Sequence, residues 1–213
     1  TTNGNSPTYV NNGGTTTLKS GTIQNTGNNP LVYNLVGTTT IDGINLANKS
    51  TTVQNGDPDN TTAILNINSG TISSEEDLAI KNYATVNHSD GTVSSNSTSQ
   101  VAVYNSATGS YTLSGGTIKS LTNTVNNAGT FTMTSGTLTN HGDDYSTNYN
   151  NGGTATFQGG NIIQSQNNNY LVYNKVGTTN IEGINLTNKG TTVQNGNSDN
   201  TTAILNINSG TIS

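Results

Sequence analysis

Along most of this chain, apolar and polar side chains alternate for a few residues and then stop at a glycine. The recurring string is roughly G-T-x-T-Φ-x-[SG]-G-T-Φ, where Φ is aliphatic or bulky. Its first Φ, the anchor, falls at Leu18, Ile41, Ile67, His88, Leu113, Met133, Phe157, Ile181 and Ile207. Five residues further on stand Ile23, Leu46, Ile72, Val93, Ile118, Leu138, Ile162, Leu186 and Ile212, all aliphatic. Successive anchors lie about 24 residues apart on average. Such alternation is strand periodicity, because neighbouring side chains of a strand point to opposite faces. A period of this length, with strand-forming residues and glycine punctuation, predicts a solenoid rather than a globule.

Two residues before the anchors come Thr16, Thr39, Leu65, Val86, Tyr111, Phe131, Ala155, Thr179 and Leu205, which share the anchors' face and are placed inside. The intervening threonines, such as Thr15 and Thr17, Thr38 and Thr40, Thr130 and Thr132, and Thr154 and Thr156, point outward. Threonine is a good strand former that tolerates water, so this array requires no function to exist. The glycine three residues after most anchors (Gly21, Gly70, Gly91, Gly116, Gly136, Gly160, Gly210) predicts a corner at positive φ. Ile44 and Ile184 take that slot in two coils, where Gly43 and Gly183 move the corner back by one residue.

A third strand is marked by V-x-N: Val10/Asn12, Val32/Asn34, Val53/Asn55, Val103/Asn105, Val125/Asn127, Val172/Asn174 and Val193/Asn195, with Ile80/Asn82 and Asn148/Asn150 as variants. Stacked coils would bring these asparagines into a ladder, amide donating to amide. The chain therefore predicts an all-β, parallel β-helix of about nine coils, three strands per coil, rising about 4.8 Å per coil to a rod of roughly 40 Å. Its ends are open sheet edges, so self-association through the solenoid ends is expected.

A longer repeat encloses the short one. Residues 31–73 recur as 171–213, a spacing of 140, with seven of 43 positions changed. Near-identity over such a stretch is a recent tandem copy, and residues 1–213 read as a single solenoid segment of a longer repeat protein. Composition narrows the partners. The chain is 28% hydrophobic and 8% charged, with net charge −5; threonine and asparagine each number about forty. All six basic residues are lysine, which argues against phosphate recognition and nucleic-acid binding. Cysteine is absent, and no apolar run is long enough to span a bilayer, so no thiolate metal site and no membrane insertion are expected.

The SGTI and SGGTI corners (Ser20 to Ile23, Ser114 to Ile118), the V-x-N strands and the cysteine-free Thr/Asn/Gly composition resemble pectin-lyase-like β-helices of bacterial surface adhesins. Autotransporter passengers and wall-anchored Gram-positive adhesins are both similar. The resemblance covers essentially the whole chain and implies a right-handed coil, an extracellular place at the bacterial cell surface or wall, and adhesion. An Asn/Ile/Lys-rich, arginine-free chain leans toward a Gram-positive source.

Candidate chemistry is sparse. Asp57, Asp59 and Asn60 offer hard oxygen ligands that could hold calcium, although the second copy keeps only Asp199 as a carboxylate and a plain turn accounts for both. Glu75, Glu76 and Asp77 form one acidic cluster and Asp143 with Asp144 another, beside His141. Asp42 and Glu182 stand six coils apart, and Asp42 falls one coil above Lys19, an expected surface ion pair. No catalytic residue and no cofactor follow from these, and the chain is not expected to be an enzyme. Tyr33, Tyr104 and Tyr173, on the V-x-N strands, are the candidate ligand contacts, for glycans or proteins of a host or neighbouring cell. The expected role is a rigid stalk or weak binding module of a surface fibre. The outward Thr-x-Thr pairs leave an ice-binding solenoid as the alternative, and a polysaccharide-degrading β-helix enzyme behind it.

Overall fold

A computed structural model describes residues 6–143, 145–165 and 169–213. They form a parallel β-solenoid of about eight turns without helices. All strand pairings are parallel and join residues one coil apart, as in Tyr111↔Phe131 or Ile118↔Leu138. Three sheets run the length of the rod. The first holds the V-x-N strands, the second the anchors, and the third the Thr-Φ pairs beyond the glycine corner. In Val32–Asn48 the chain passes through all three without losing strand character.

The alternation sorts the side chains as expected. Ile41, Ile67, His88, Leu113, Met133, Phe157 and Ile181 are fully buried, as are Leu65, Val86, Tyr111, Phe131 and Ala155. An aromatic stack fills the middle coils. His88, Tyr111, Phe131 and Phe157 follow one another at centroid distances of 6.1, 5.7 and 6.1 Å. His88 Nδ1 shares a hydrogen bond with Tyr111 Oη at 2.9 Å, and burial lowers its pKa to about 4.

The corners depend on glycine where coils touch. Gly70 has φ 94°, and a Cβ there would stand 2.3 Å from the carbonyl oxygen of Ile44 below. In the coil beneath, Asp42 pairs with Ser69 and Asn45 with Thr71, so two residues oppose one glycine. That bulge turns Ile44 inward, 5% exposed; Gly183 and Ile184 repeat it.

The asparagine ladder is present and unbroken. Nδ2 of each member donates to Oδ1 of the next, through Asn11, Asn34, Asn55, Asn82, Asn105, Asn127, Asn150, Asn174 and Asn195, at 2.7–3.0 Å. Most members also donate to a main-chain carbonyl of the following coil, as Asn105 does to Thr130 O at 2.9 Å. Polar groups that would be costly in a core are satisfied in series.

Two expectations need correction. The first rung is Tyr9/Asn11 rather than Val10/Asn12: Asn11 is buried, and Val10 is 47% exposed. Asn34, Asn150 and Asn174 each precede the next strand's first threonine (Thr38, Thr154, Thr178) by four residues, and only Asn11 keeps that distance to Thr15. Lys19 and Asp42 do stack in register, but among the described residues the ion pair is Lys49–Glu76 at 3.4 Å. Asp42 accepts instead from Ser69 Oγ at 3.3 Å.

A second polar column escaped the sequence pattern. Seven residues after the anchors, Asn25, Asn48, Ser74, Ser95, Ser120, Asn140 and Gln164 are all buried. They tie down the corner behind the third sheet: Asn48 Nδ2 reaches Thr51 O at 2.6 Å, Ser95 Oγ reaches Asp77 O at 2.7 Å, and Asn140 Nδ2 reaches Tyr145 O at 2.6 Å. Side chains here replace the main-chain partners that a sharp turn leaves open.

Candidate functional site

Outward positions of the first sheet form a single file, because the register stacks Val10, Tyr33, Gln54, Lys81, Tyr104, Asn126, Tyr149, Tyr173 and Gln194 one coil apart. Tyr33, Tyr104 and Tyr173 therefore share one column, as their strands require. The column also takes in Tyr149, whose N-Y-N strand lacks the valine signal. Tyrosines from the neighbouring corners lean onto it. Tyr149 and Tyr170 lie 5.4 and 5.5 Å from the Tyr173 ring, and Lys81 Nζ stands 5.5 Å over Tyr83. Lys175 Nζ stands 5.9 Å over Tyr149, whose hydroxyl raises the lysine's pKa by hydrogen bonding.

Two depressions open on this face. One of about 440 Å³ is lined by Lys81, Tyr83, Tyr104, Asn126 and the segment Ser99 to Val101. The other, about 250 Å³, is lined by Tyr145, Tyr149, Tyr170, Tyr173 and Asn169. Asn123 belongs to both and joins them into one groove. Its Nδ2 is fixed by Ser146 O and Oγ, each at 2.8 Å. Corner residues Tyr83, Tyr145 and Tyr170 carry no shared sequence pattern, and only the stacking of unequal loops brings them together.

Tyr33 sits further down the column and is engaged otherwise. Its hydroxyl donates to Asp57 Oδ2 at 2.6 Å. Burial, reinforced by that carboxylate, raises the phenol's pKa to about 12, and the same bond holds Asp57 below its ordinary value. Asp57 Oδ1 accepts from the main-chain N–H groups of Asp59 and Asn60 at 2.9 and 2.8 Å. One oxygen of Asp57 is thus engaged by its own turn and the other by Tyr33 of the preceding coil. In the second copy Asn197 does the same work: its Oδ1 accepts from Asp199 N at 3.1 Å, and its Nδ2 meets Tyr173 Oη at 3.0 Å. Asp59 is exposed, and Asn60 Nδ2 turns toward Asp57 Oδ1 at 3.3 Å.

The remaining polar candidates are dispersed. Glu76 pairs with Lys49, and Asp77 Oδ2 accepts from Thr51 Oγ1 at 2.9 Å, which makes that acidic cluster part of a corner. His141 Nδ1 lies 3.0 Å from Ser165 Oγ on an exposed surface; Asp144 lies outside the described residues. Glu182 accepts from Gln158 Nε2 at 3.1 Å. Among the described residues, no three His, Cys, Asp or Glu side chains gather as a metal site. No helix is long and apolar enough to cross a membrane.

Fold and face together define the class: a parallel β-solenoid with an aromatic groove on one flank. Comparison with protein-family models, with curated proteins and with solved structures found nothing that matches this chain.

Proposed function

We propose that this chain is a rigid segment of a bacterial surface fibre, working outside the cell as a stalk with an adhesive face and without catalysis or cofactor. The observation that carries this reading is the ladder running unbroken from Asn11 to Asn195 across the 140-residue duplication. Each coil contacts only its neighbours, so copying coils lengthens the rod and changes little else. The likeness of its corners and V-x-N strands to surface adhesins supports the same conclusion. The tyrosine column is the surface that would touch glycans or proteins of another cell. The test is to display the chain on a non-adherent bacterium, score attachment to host cells and a glycan array, and measure the free chain's length by small-angle scattering. A rod of about 40 Å with attachment above the empty-display control supports the reading. A compact or unfolded chain removes the stalk, and a well-formed rod without attachment removes the adhesive face.

A second reading has one observation in its favour. Thr130 and Thr132 stack on Thr154 and Thr156 in register, a regular hydroxyl array of the sort that could order ice. Ile64, Asn66 and Asn87 interrupt the same rows. Thermal hysteresis in the purified chain would put ice binding ahead of the fibre.

A further inference from the structure

We infer that the groove joined at Asn123 is a binding site for a linear, uncharged glycan laid along the rod. The inference rests on the adhesive half of the preceding proposal and gives it an address and a ligand class.

Three observations converge. First, the walls are tyrosine. Tyrosine offers a large, stiff, amphipathic surface at little cost in side-chain entropy, which suits the apolar faces and hydroxyl edges of sugar rings. Second, most of the polar groups between the rings are amides and hydroxyls: Gln100, Asn123, Asn126, Asn169, Ser99 and Ser146. Asn123 is held in place by Ser146, and Asn126 lines the floor, its Oδ1 enclosed and without a partner within the protein. A few placed polar groups among apolar walls are what fix a ligand's orientation. Third, the groove is free of acidic side chains. A chain with 11 acidic residues places none of them in the lining of either depression. A cationic ligand finds no carboxylate here, and the two lysines at the groove, Lys81 and Lys175, already rest against the Tyr83 and Tyr149 rings, whereas an uncharged chain of hydroxylated rings needs no countercharge.

The groove also has a length. From Lys81 to Tyr173 the register counts four coil steps, or about 19 Å at ~4.8 Å each. A ligand lying parallel to the axis would gain contacts with each added sugar until it spans that distance.

The experiment is calorimetric titration of the chain with linear neutral oligosaccharides of increasing length, with uronate oligomers as charged comparators. It is run in low and high salt on the native chain, Tyr104→Ala, Tyr149→Ala and Thr132→Ala. Both tyrosines point outward, so their removal leaves the core intact, and circular dichroism with scattering checks that the rod persists. The expected result is affinity that rises with oligomer length to a plateau, indifferent to salt. A loss of about tenfold is expected in each tyrosine variant, and none in Thr132→Ala. The inference is overturned by a well-formed rod that binds no neutral oligomer, by salt-sensitive binding confined to uronates, or by binding that survives both tyrosine changes. Any of these leaves the stalk standing, because the scattering length is measured on the same samples.

Discussion

Replacing Asn148 by valine is expected to stabilise this protein, although it removes an asparagine from the ladder strand itself. Asn148 occupies the valine slot, paired in register with Val125 on one side and Val172 on the other. It is fully buried, and neither Oδ1 nor Nδ2 has a hydrogen-bond partner. An unsatisfied buried amide costs about 1–3 kcal/mol, and a β-branched side chain is better suited to the strand. Asn148→Val should therefore gain about 1–3 kcal/mol. Asn150→Val, two residues along, should do the opposite. Asn150 accepts from Asn127 at 3.0 Å and donates to Asn174 at 2.8 Å. Its loss leaves the buried Asn174 Oδ1 without a donor, while Asn127 Nδ2 keeps Gly129 O and Thr154 O at 3.1 Å, a destabilisation of roughly 1–3 kcal/mol. Urea unfolding followed by circular dichroism measures both, and hydrogen exchange at Val125 to Asn127 shows whether the gain is local. A neutral or destabilising Asn148→Val would refute the reasoning, since it would mean the amide is satisfied in solution, most simply by an enclosed water. A crystal structure would then show that water between the coils.

Other outcomes follow from the same geometry. Above pH 6.5 His88 is neutral whether folded or not; as pH falls from 6.5 to about 4 only the unfolded chain takes up the proton. Stability should decline by about 3 kcal/mol over that window, and His88→Leu, which suits a column holding Ile67 and Leu113, should abolish that share in urea midpoints taken across pH. Gly70→Ala should cost at least about 2 kcal/mol through strain at positive φ and collision with Ile44 O. Gly13→Ala, also at positive φ but with open space around its Cβ, should cost about 1 kcal/mol by the same assay. Asp57→Asn should leave stability within about 0.5 kcal/mol, because Asn197 already forms that turn. Calcium should not shift the melting temperature of either form, and a shift lost with Asp57 would restore the metal site.

What could be read from the chain was whatever repeats from coil to coil. Anchors, glycine corners and ladder asparagines face identical surroundings in every turn, so periodicity exposes them. Even the displaced corner at Gly43 was visible, because Ile44 stands where glycine is otherwise found. The reading slipped where two residues competed for one slot. Val10 looks like a rung, and only the fixed distance to Thr15 selects Asn11. The buried Asn/Ser column seven residues after the anchors repeats as regularly, but serine and asparagine also populate exposed turns, so residue type does not mark it as buried. A further buried column just before the V-x-N strands, Leu31, Thr52, Ala79, Ala102, Thr124, Thr147 and Leu171, mixes types too freely to stand out. Of the groove, only Tyr104 and Tyr173 on the V-x-N strands could be read. Its corner tyrosines sit on loops of different length, and their meeting is a property of stacking rather than of spacing.

The ladder has a sense. Every amide gives its hydrogen toward the C-terminal coil and receives one from the N-terminal side, so the column distinguishes its two directions. Six hydrogen bonds carry it from Asn34 to Asn174, the same distance that separates the two long copies. A crossover between those copies inserts or deletes whole coils in phase, and each new junction joins a donor to an acceptor as before. Misaligned exchange, which ruins most folds, here only resets a ruler. For such a lineage, reach is a quantity that recombination can adjust within a population while the chemistry of every coil stays fixed.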